Sequence, residues 1–496
     1  ITGGADRDVT LGQAGNDTIA TLGGNDSLDG GDDDDTLSGG DDDDTLIGGA
    51  GNDTVRGDAG NDLLVVIDTS LGLAGPFATP AGPGVTDSYD GGSGFDTLAL
   101  IDDVDVTLTD TDLTAHDGTH SVAAIDFAYL VGGVSNNTID ATGFSGDTEI
   151  HGKGGDDTLL GGSGQDEIHG DAGDDTLEGN AGDDDLYGGG DDDTIDGGGD
   201  DDFIVGGAGS NTLAGDAGND TFVFTDNGAT DQLSDSLGTD TADFSSFSSS
   251  LTLAVGDASE PAPVVVSRQY NTFRTEFLTD TIESVLLGSG DDLLRVKDAA
   301  ATIAAVDAGS GTDDLSYQGH GGWSAWTTGV AVDLAAGTAT GFGGLLNVED
   351  AAGGEADDTL LGSAAANSLA GHGGNDTLDG RAGDDRLTGG AGNDSLTGGA
   401  DDDVLLGGAG VNTLAGGTGN DGYVGEDLSQ NDTLVEHPGE GIDGIDFVYV
   451  SAAPVTITLD GAITATVNNS TVTAANMNAF ESIRGGSHAD RFVVAD

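Results

Sequence analysis

The sequence predicts an all-β solenoid, a chain wound into stacked parallel coils, and three observations carry that expectation. Nine-residue blocks recur in strict register. Most blocks set one apolar residue two places after an acidic one. The blocks usually open with glycine, while all seven prolines (Pro76, Pro80, Pro83, Pro261, Pro263, Pro438 and Pro454) fall outside them.

The first run extends from Gly3 to Val65, with Asp8, Asp17, Asp26, Asp35, Asp44, Asp53 and Asp62 in the sixth place. Two residues later stand Thr10, Ile19, Leu28, Leu37, Leu46, Val55 and Leu64. The second run, Gly143 to Val223, repeats the frame with Asp157, Asp166, Asp175, Asp184, Asp193, Asp202 and Asp220. The third, Gly353 to Val424, does so with Asp358, Asp376, Asp385, Asp394, Asp403 and Asp421. Of 24 blocks, 20 hold Asp in the sixth place; Asn211, Asn367, Asn412 and Thr148 take the rest. A disordered acidic tail would keep no such frame.

A block of this length makes one tight turn and one short strand, so two blocks make one coil. Parallel coils stack at about 4.8 Å, with the eighth-place residue pointing inward. No coil can bury its two eighth-place side chains alone; stacking does it.

The stretches between the runs share a fainter plan. A Gly-x-Asp step opens each unit (Gly94-Phe95-Asp96, Gly238-Thr239-Asp240, Gly311-Thr312-Asp313, Gly441-Ile442-Asp443). An alternating strand follows, as in Val104/Val106/Leu108 and Val330/Val332/Leu334. An aliphatic-acidic step such as Ile282-Glu283 or Val348-Glu349 then leads to a new glycine turn. These read as longer, degenerate coils, which favours one nearly continuous solenoid over separate β-domains strung between rolls. The expected division is a roll at 1–65, a spacer at 66–142 with an isolated nonapeptide at 91–99, and a roll at 143–223. A two-unit spacer at 224–352, a roll at 353–424 and a β-rich unit at 425–496 complete it.

Charge narrows the function. Ninety-two Asp and Glu face 11 Lys and Arg, for a net charge of −81, so nucleic acid is not the expected partner. No apolar run is long enough to span a bilayer as a helix. Cysteine is absent, which excludes disulfides, thiolate metal sites and thiol catalysis. The chain opens at Ile1 inside a block, without Met or a leader, and reads as a piece of something longer.

An Asp in the sixth place offers a hard anionic oxygen beside turn carbonyls, a donor set that suits Ca²⁺. Gly389-Gly390-Ala391-Gly392-Asn393-Asp394-Ser395-Leu396-Thr397 resembles the RTX (repeats-in-toxin) calcium-binding nonapeptide. That resemblance implies a right-handed parallel β-roll with Ca²⁺ between successive turns on both edges. It also implies bacterial export by a type I system and folding on meeting external calcium. The 20 sixth-place Asp residues, with Asp96 of the isolated block, are the expected ligands, for about 18–20 ions carrying ~36–40 positive charges. Some blocks depart from the pattern. Asp33, Asp42, Asp192, Asp201 and Asp402 stand where the fourth glycine is expected, a left-handed position that Asp tolerates. The Asn blocks lose a charge and should bind weakly, and Asn211 and Asn412 mark where a roll hands over to other structure.

Searches for chemistry find little. His116 and His120 read His-Asp-Gly-Thr-His, not the zincin pattern, and no third ligand follows. No nucleophile elbow, Walker loop or dinucleotide fingerprint occurs. An EF-hand fails for want of the terminal Glu and flanking helices. His151 and His169 fall at the ninth place, expected to be solvated surface. Trp323 and Trp326 flank a glycine-rich turn and pack an inserted loop or stack on sugar. The expected function is therefore non-enzymatic: a calcium-dependent structural protein of the bacterial cell surface, in an S-layer, filament or adhesin, that self-associates or binds other surface components. The alternative is the non-catalytic repeat region of a secreted enzyme or toxin.

Overall fold

The computed structural model describes residues 1–67, 86–115, 118–225, 231–234, 237–255, 264–268, 274–277, 282–296, 303–318, 328–424, 432–435, 443–446, 456–459, 463–467, 470–474, 480–484 and 491–494. The seven prolines, His116, Trp323 and Trp326 lie outside these. Among the described residues every regular element is a β-strand. Among these residues no helix is long and apolar enough to cross a membrane. One compact unit holds Ile1–Asp243 with Thr272–Ile282, the other Phe244–Asn271 with Glu283–Asp496.

In the first unit, Val9–Ala14 pairs in parallel with Ser27–Asp32, which pairs with Thr45–Ala50 and then Leu63–Ile67. The strands between them, Thr18–Ala20, Thr36–Asp41 and Thr54–Ala59, form a second parallel stack. Partners lie 18 residues apart, as Val9 and Ser27 do, so two blocks make one coil with a strand in each of two sheets. A strand such as Thr36–Asp41 runs from the seventh place of one block through the third of the next. The opening glycines therefore lie within strands, and the turn is confined to places four to six.

The coils do not stop at Val65. Thr54–Ala59 pairs onward with Ser88–Ser93, and Leu63–Ile67 with Thr97–Ile101. Thr97–Ile101 pairs with Phe127–Val131, which pairs with Asp147–His151 of the second run. The spacer is thus coils in the same stacks, widened by the antiparallel strands Val106–Thr109, Asp112–Ala115 and Gly118–Ala123. Registers here explain Thr148. Leu64, Leu98, Ala128 and Thr148 form one buried column, while Val66, Leu100, Leu130 and Ile150 form the next. The inward column of the second run descends from the latter, so the frame slips by two residues and Thr148 fills the sixth place.

The second unit is built alike. Thr359–Leu361, Thr377–Ala382, Ser395–Ala400, Thr413–Thr418 and Thr433–Val435 stack in one sheet. Ser368–Gly373, Arg386–Ala391, Val404–Ala409, Gly422–Val424 and Asp443–Asp446 stack in the other. Ahead of them, Leu293–Val296 pairs with Asp314–Ser316 and that with Asp350–Ala352, which pairs with Ser368–Gly373. Asn211 and Asn412 do not end their stacks, contrary to the expectation from sequence. Asn211 N–H donates to Asp231 Oδ1 at 2.9 Å and Asn412 N–H to Asp432 Oδ1 at 2.8 Å, each 20 residues on.

The core is a file of eighth-place side chains. Leu28, Leu46 and Leu64, like Leu177, Leu213, Leu378 and Leu387, are fully buried. Each contributes about 1.5–3 kcal/mol by leaving water. The fourth-place substitutions need one correction. Left-handed φ values fall on Asp33 (76°), Asp42 (77°), Asp191 (74°), Asp200 (77°) and Asp401 (80°). In three of the five blocks the strained residue is therefore one earlier than assigned, because the position is fixed by its distance to the buried Asp, not by the run of acids.

Candidate metal centre

Each sixth-place carboxylate ends its turn just before a strand, and the strand's pairing carries it over the turn of the neighbouring coil. Its Oδ1 accepts the backbone N–H of the sixth-place residue one coil earlier. Asp8, Asp17 and Asp26 donate to Asp26, Asp35 and Asp44 at 2.6–2.7 Å, and Asp157, Asp175 and Asp376 to Asp175, Asp193 and Asp394 at 2.7–3.0 Å. The bond across the spacer is the same: Asp62 N–H donates to Asp96 Oδ1 at 2.9 Å.

The other oxygen is left over. In the first roll Asp26, Asp35, Asp44, Asp53 and Asp62 bury an Oδ2 that no hydrogen bond satisfies. In the second roll Asp157, Asp175, Asp184, Asp193, Asp202 and Asp220 do so, and in the third Asp376, Asp385, Asp394 and Asp403. Their residues are 1–3 % exposed. Among the described residues no Lys or Arg pairs with any of them. A buried, unpaired carboxylate costs several kcal/mol, so a column of them demands a counter-charge.

Three predicted ligands differ. Asp8 Oδ2 accepts Gly4 N–H at 2.6 Å, Asp166 Oδ2 accepts Gly162 N–H at 2.6 Å, and Asp358 Oδ2 accepts Gly354 N–H at 2.7 Å. These turns close on themselves and aim an amide where the others leave an oxygen bare. Asp8 and Asp17, in the first coil, are only half-buried. Asn211 buries an unsatisfied Nδ2 in place of the spare oxygen, a donor that opposes a cation.

The opening glycine shapes the cradle. A methyl group on Gly389 would overlap both Asp394 Oδ2 and the Gly407 carbonyl oxygen of the next coil. The same pairing recurs at Gly170 with Asp175 and Gly188, and at Gly179 with Asp184 and Gly197. The space is therefore lined by one carboxylate oxygen and stacked backbone oxygens. Among the described residues no three His, Asp or Glu side chains converge, so carbonyls must supply most donors. All-oxygen donation with one hard anion per turn fits Ca²⁺ and not a soft metal.

Protonation tells the same story. Burial pushes Asp44, Asp175 and Asp385 up to about 6 and Asp53, Asp184, Asp193, Asp376 and Asp403 to about 7. Asp202 reaches about 8. In each, the backbone N–H bond opposes the rise and neighbouring carboxylates add to it.

Sequence reading missed two features. Fifth-place residues form a second, exposed clasp running the opposite way. Asn52, Asn61, Asp192, Asp201 and Asn375 donate N–H to Oδ1 of Asp34, Asp43, Asp174, Asp183 and Asp357, one coil earlier, at 2.7–3.0 Å. It also missed buried acids in the spacers: Asp87, Asp231, Asp240 and Asp432 stand in the sixth-place columns. Their signal is Asp followed two residues later by a buried apolar side chain, as in Asp231-Gln232-Leu233.

The histidines have structural surroundings. His120 is fully buried with Nδ1 3.0 Å from Asp87 Oδ2; its sequence neighbour His116 is outside the described residues. His151 and His169 stack at 4.6 Å and His169 on Tyr187 at 4.7 Å. Each His meets a Glu two residues earlier, Glu149 at 2.9 Å and Glu167 at 2.8 Å, so the ninth place is a packed ladder more than free surface.

The profile of the RTX calcium-binding nonapeptide repeat matches residues 2–37, 11–46 and 29–64, then 142–177, 169–204 and 196–224, then 352–387 and 388–423. The chain carries RTX repeats. No curated protein matches it. RTX repeats bind calcium in a structural role, and the bare Oδ2 columns are where these repeats have room and charge for the ion.

Asp175→Asn gives a change of sign. The amide keeps the Oδ1 acceptor for Asp157 N–H, at 2.7 Å in the wild type, and removes one buried charge. The variant should be more stable than wild type in chelator. At calcium 100-fold above Kd it should lose about 2.7 kcal/mol, one site's linkage. Urea unfolding at saturating calcium, and refolding by a stabilising osmolyte in chelator, read the two effects; a loss of equal size in both would make Asp175 a packing residue only.

Proposed function

We propose that the chain is a calcium-assembled structural segment of a bacterial extracellular surface, of the S-layer, filament or adhesin kind, with no catalysis of its own. The observation that carries this reading is the continuity of the carboxylate columns. They run through the rolls and on into the spacer coils, as from Asp53 to Asp87 and from Asp62 to Asp96, so the spacers are built as scaffold rather than as a separate reactive domain. RTX-repeat proteins are typically secreted, and external calcium would switch the chain from an extended, self-repelling form to a rigid one after export. Solenoid coils also offer strand edges for head-to-tail addition of a second copy.

Electron microscopy of the purified chain with millimolar Ca²⁺ and with chelator tests this. Ordered sheets or filaments that form with calcium and dissolve with chelator are expected. Dispersed monomers at all calcium levels would favour the repeat region of a secreted enzyme or toxin instead.

A further inference from the structure

The column holding Asp385, Asp403 and Asp421 in the second unit does not begin at the third roll. Leu293 pairs with Asp314, and Asp314 with Asp350. The residues just before them, Asp292, Asp313 and Glu349, therefore stand in the sixth-place column. Asp292 is 1 % exposed and Asp313 is fully buried.

Both clasps of the rolls are reproduced. Leu251 N–H donates to Asp292 Oδ1 at 2.6 Å, Asp292 N–H to Asp313 Oδ1 at 2.6 Å, and Asp313 N–H to Glu349 Oε2 at 3.0 Å. In the opposite direction, Thr312 N–H donates to Asp291 Oδ1 at 3.0 Å. Asp292 Oδ2 and Asp313 Oδ2 are buried and satisfied by no hydrogen bond. The turns also stack as the rolls do: a methyl group on Gly311 would overlap the Gly290 carbonyl oxygen, as one on Gly392 would overlap that of Gly374.

We propose that the turns 287–292 and 308–313 hold a divalent cation of the Ca²⁺ class at the rung between Asp292 and Asp313. Repeat matches stop at residue 224 and resume at 352, so this rung lies outside all of them. The reason is legible: Leu287 and Ala308, both buried, replace the opening glycine, as Thr21 does beside the bare Asp26 Oδ2 of the first roll, and the coil step is 21 residues from Asp292 to Asp313 rather than 18. The rung brings two buried carboxylate oxygens, Asp292 Oδ2 and Asp313 Oδ2, beside stacked backbone carbonyls, with the Gly288 amide also bearing on the Asp292 carboxylate; hard oxygens of this kind select a hard cation. The proposal rests on the calcium reading of the rolls, and its test separates the two.

Crystals of the wild-type chain grown with calcium and soaked in Tb³⁺ give an anomalous map. Peaks are expected in the rolls and also between Asp292 and Asp313, within about 2.3–2.6 Å of their Oδ2 atoms. Peaks in the rolls alone overturn the added rung and leave the rolls' reading intact; no peaks anywhere overturn both. In solution, the double variant Asp292→Asn with Asp313→Asn should bind one ion fewer at saturation, with the loaded circular dichroism unchanged. Asp394→Asn, a roll residue, serves as the control that also lowers the count. An unchanged count in the double variant beside a lowered count in the control sinks the proposal.

Discussion

In excess chelator at pH 8 the chain should lose its strand signal in circular dichroism and expand towards the unfolded radius of gyration, about 80 Å for 496 residues. Millimolar Ca²⁺ should restore both. The cause is the balance of charge against a thin core. A net charge of −81 repels itself in any compact state, and each block contributes one buried apolar side chain against that repulsion. The bare Oδ2 atoms of Asp26, Asp44, Asp175 and Asp394 add desolvation cost with no partner to offset it. Cations remove both penalties at the same atoms, and because the cradles form only when coils stack, binding free energy becomes folding free energy. Titration should therefore be cooperative along each roll. An unchanged spectrum and hydrodynamic radius in chelator would mean that the stacked Leu and Ile residues suffice, and that the columns are passive.

How much of this was readable beforehand follows from what kept the nine-residue frame. The eighth-place core and the sixth-place acids did, because a stacked coil fixes both by register; Leu177 and Asp175 lie where counting put them. Asp313 showed only as the end of a Gly-x-Asp step, and Asp231 not at all, because coil steps of 20 or 21 residues break the count, though the strand register restores it. The fifth-place clasp was hidden for another reason. Its donor is a backbone N–H that any residue supplies, so Val411 joins it by donating to Asn393 Oδ1 at 2.8 Å, and composition at that place looks unconstrained. Thr148 was an exception that only strand register explains.

Stability against pH should reverse its slope with calcium. Without metal, Asp53, Asp184 and Asp403 titrate near 7 in the fold and Asp202 near 8, against 3.8 when free. Between those values the folded chain binds more protons than the unfolded one, so stability falls as pH rises. The metal-free fold is thus best supported near or below pH 4 and loses that support progressively up to about pH 8. With calcium saturating, the ion replaces the proton as counter-charge, and acid competes it away, so stability falls as pH drops through the same window. Thermal melts at pH 5 and pH 8, in chelator and in calcium, should cross: in chelator the pH 5 sample keeps a folding transition that the pH 8 sample lacks, and in calcium pH 8 melts higher. Repeating the chelator pair in 1 M salt, where the Debye length is about 3 Å, separates buried protonation from surface repulsion. The order should persist there, because atoms such as Asp53 Oδ2 are shielded from salt by burial. A chelated chain that melts higher at pH 8 than at pH 5 would show that these carboxylates are ionised and already satisfied without a cation.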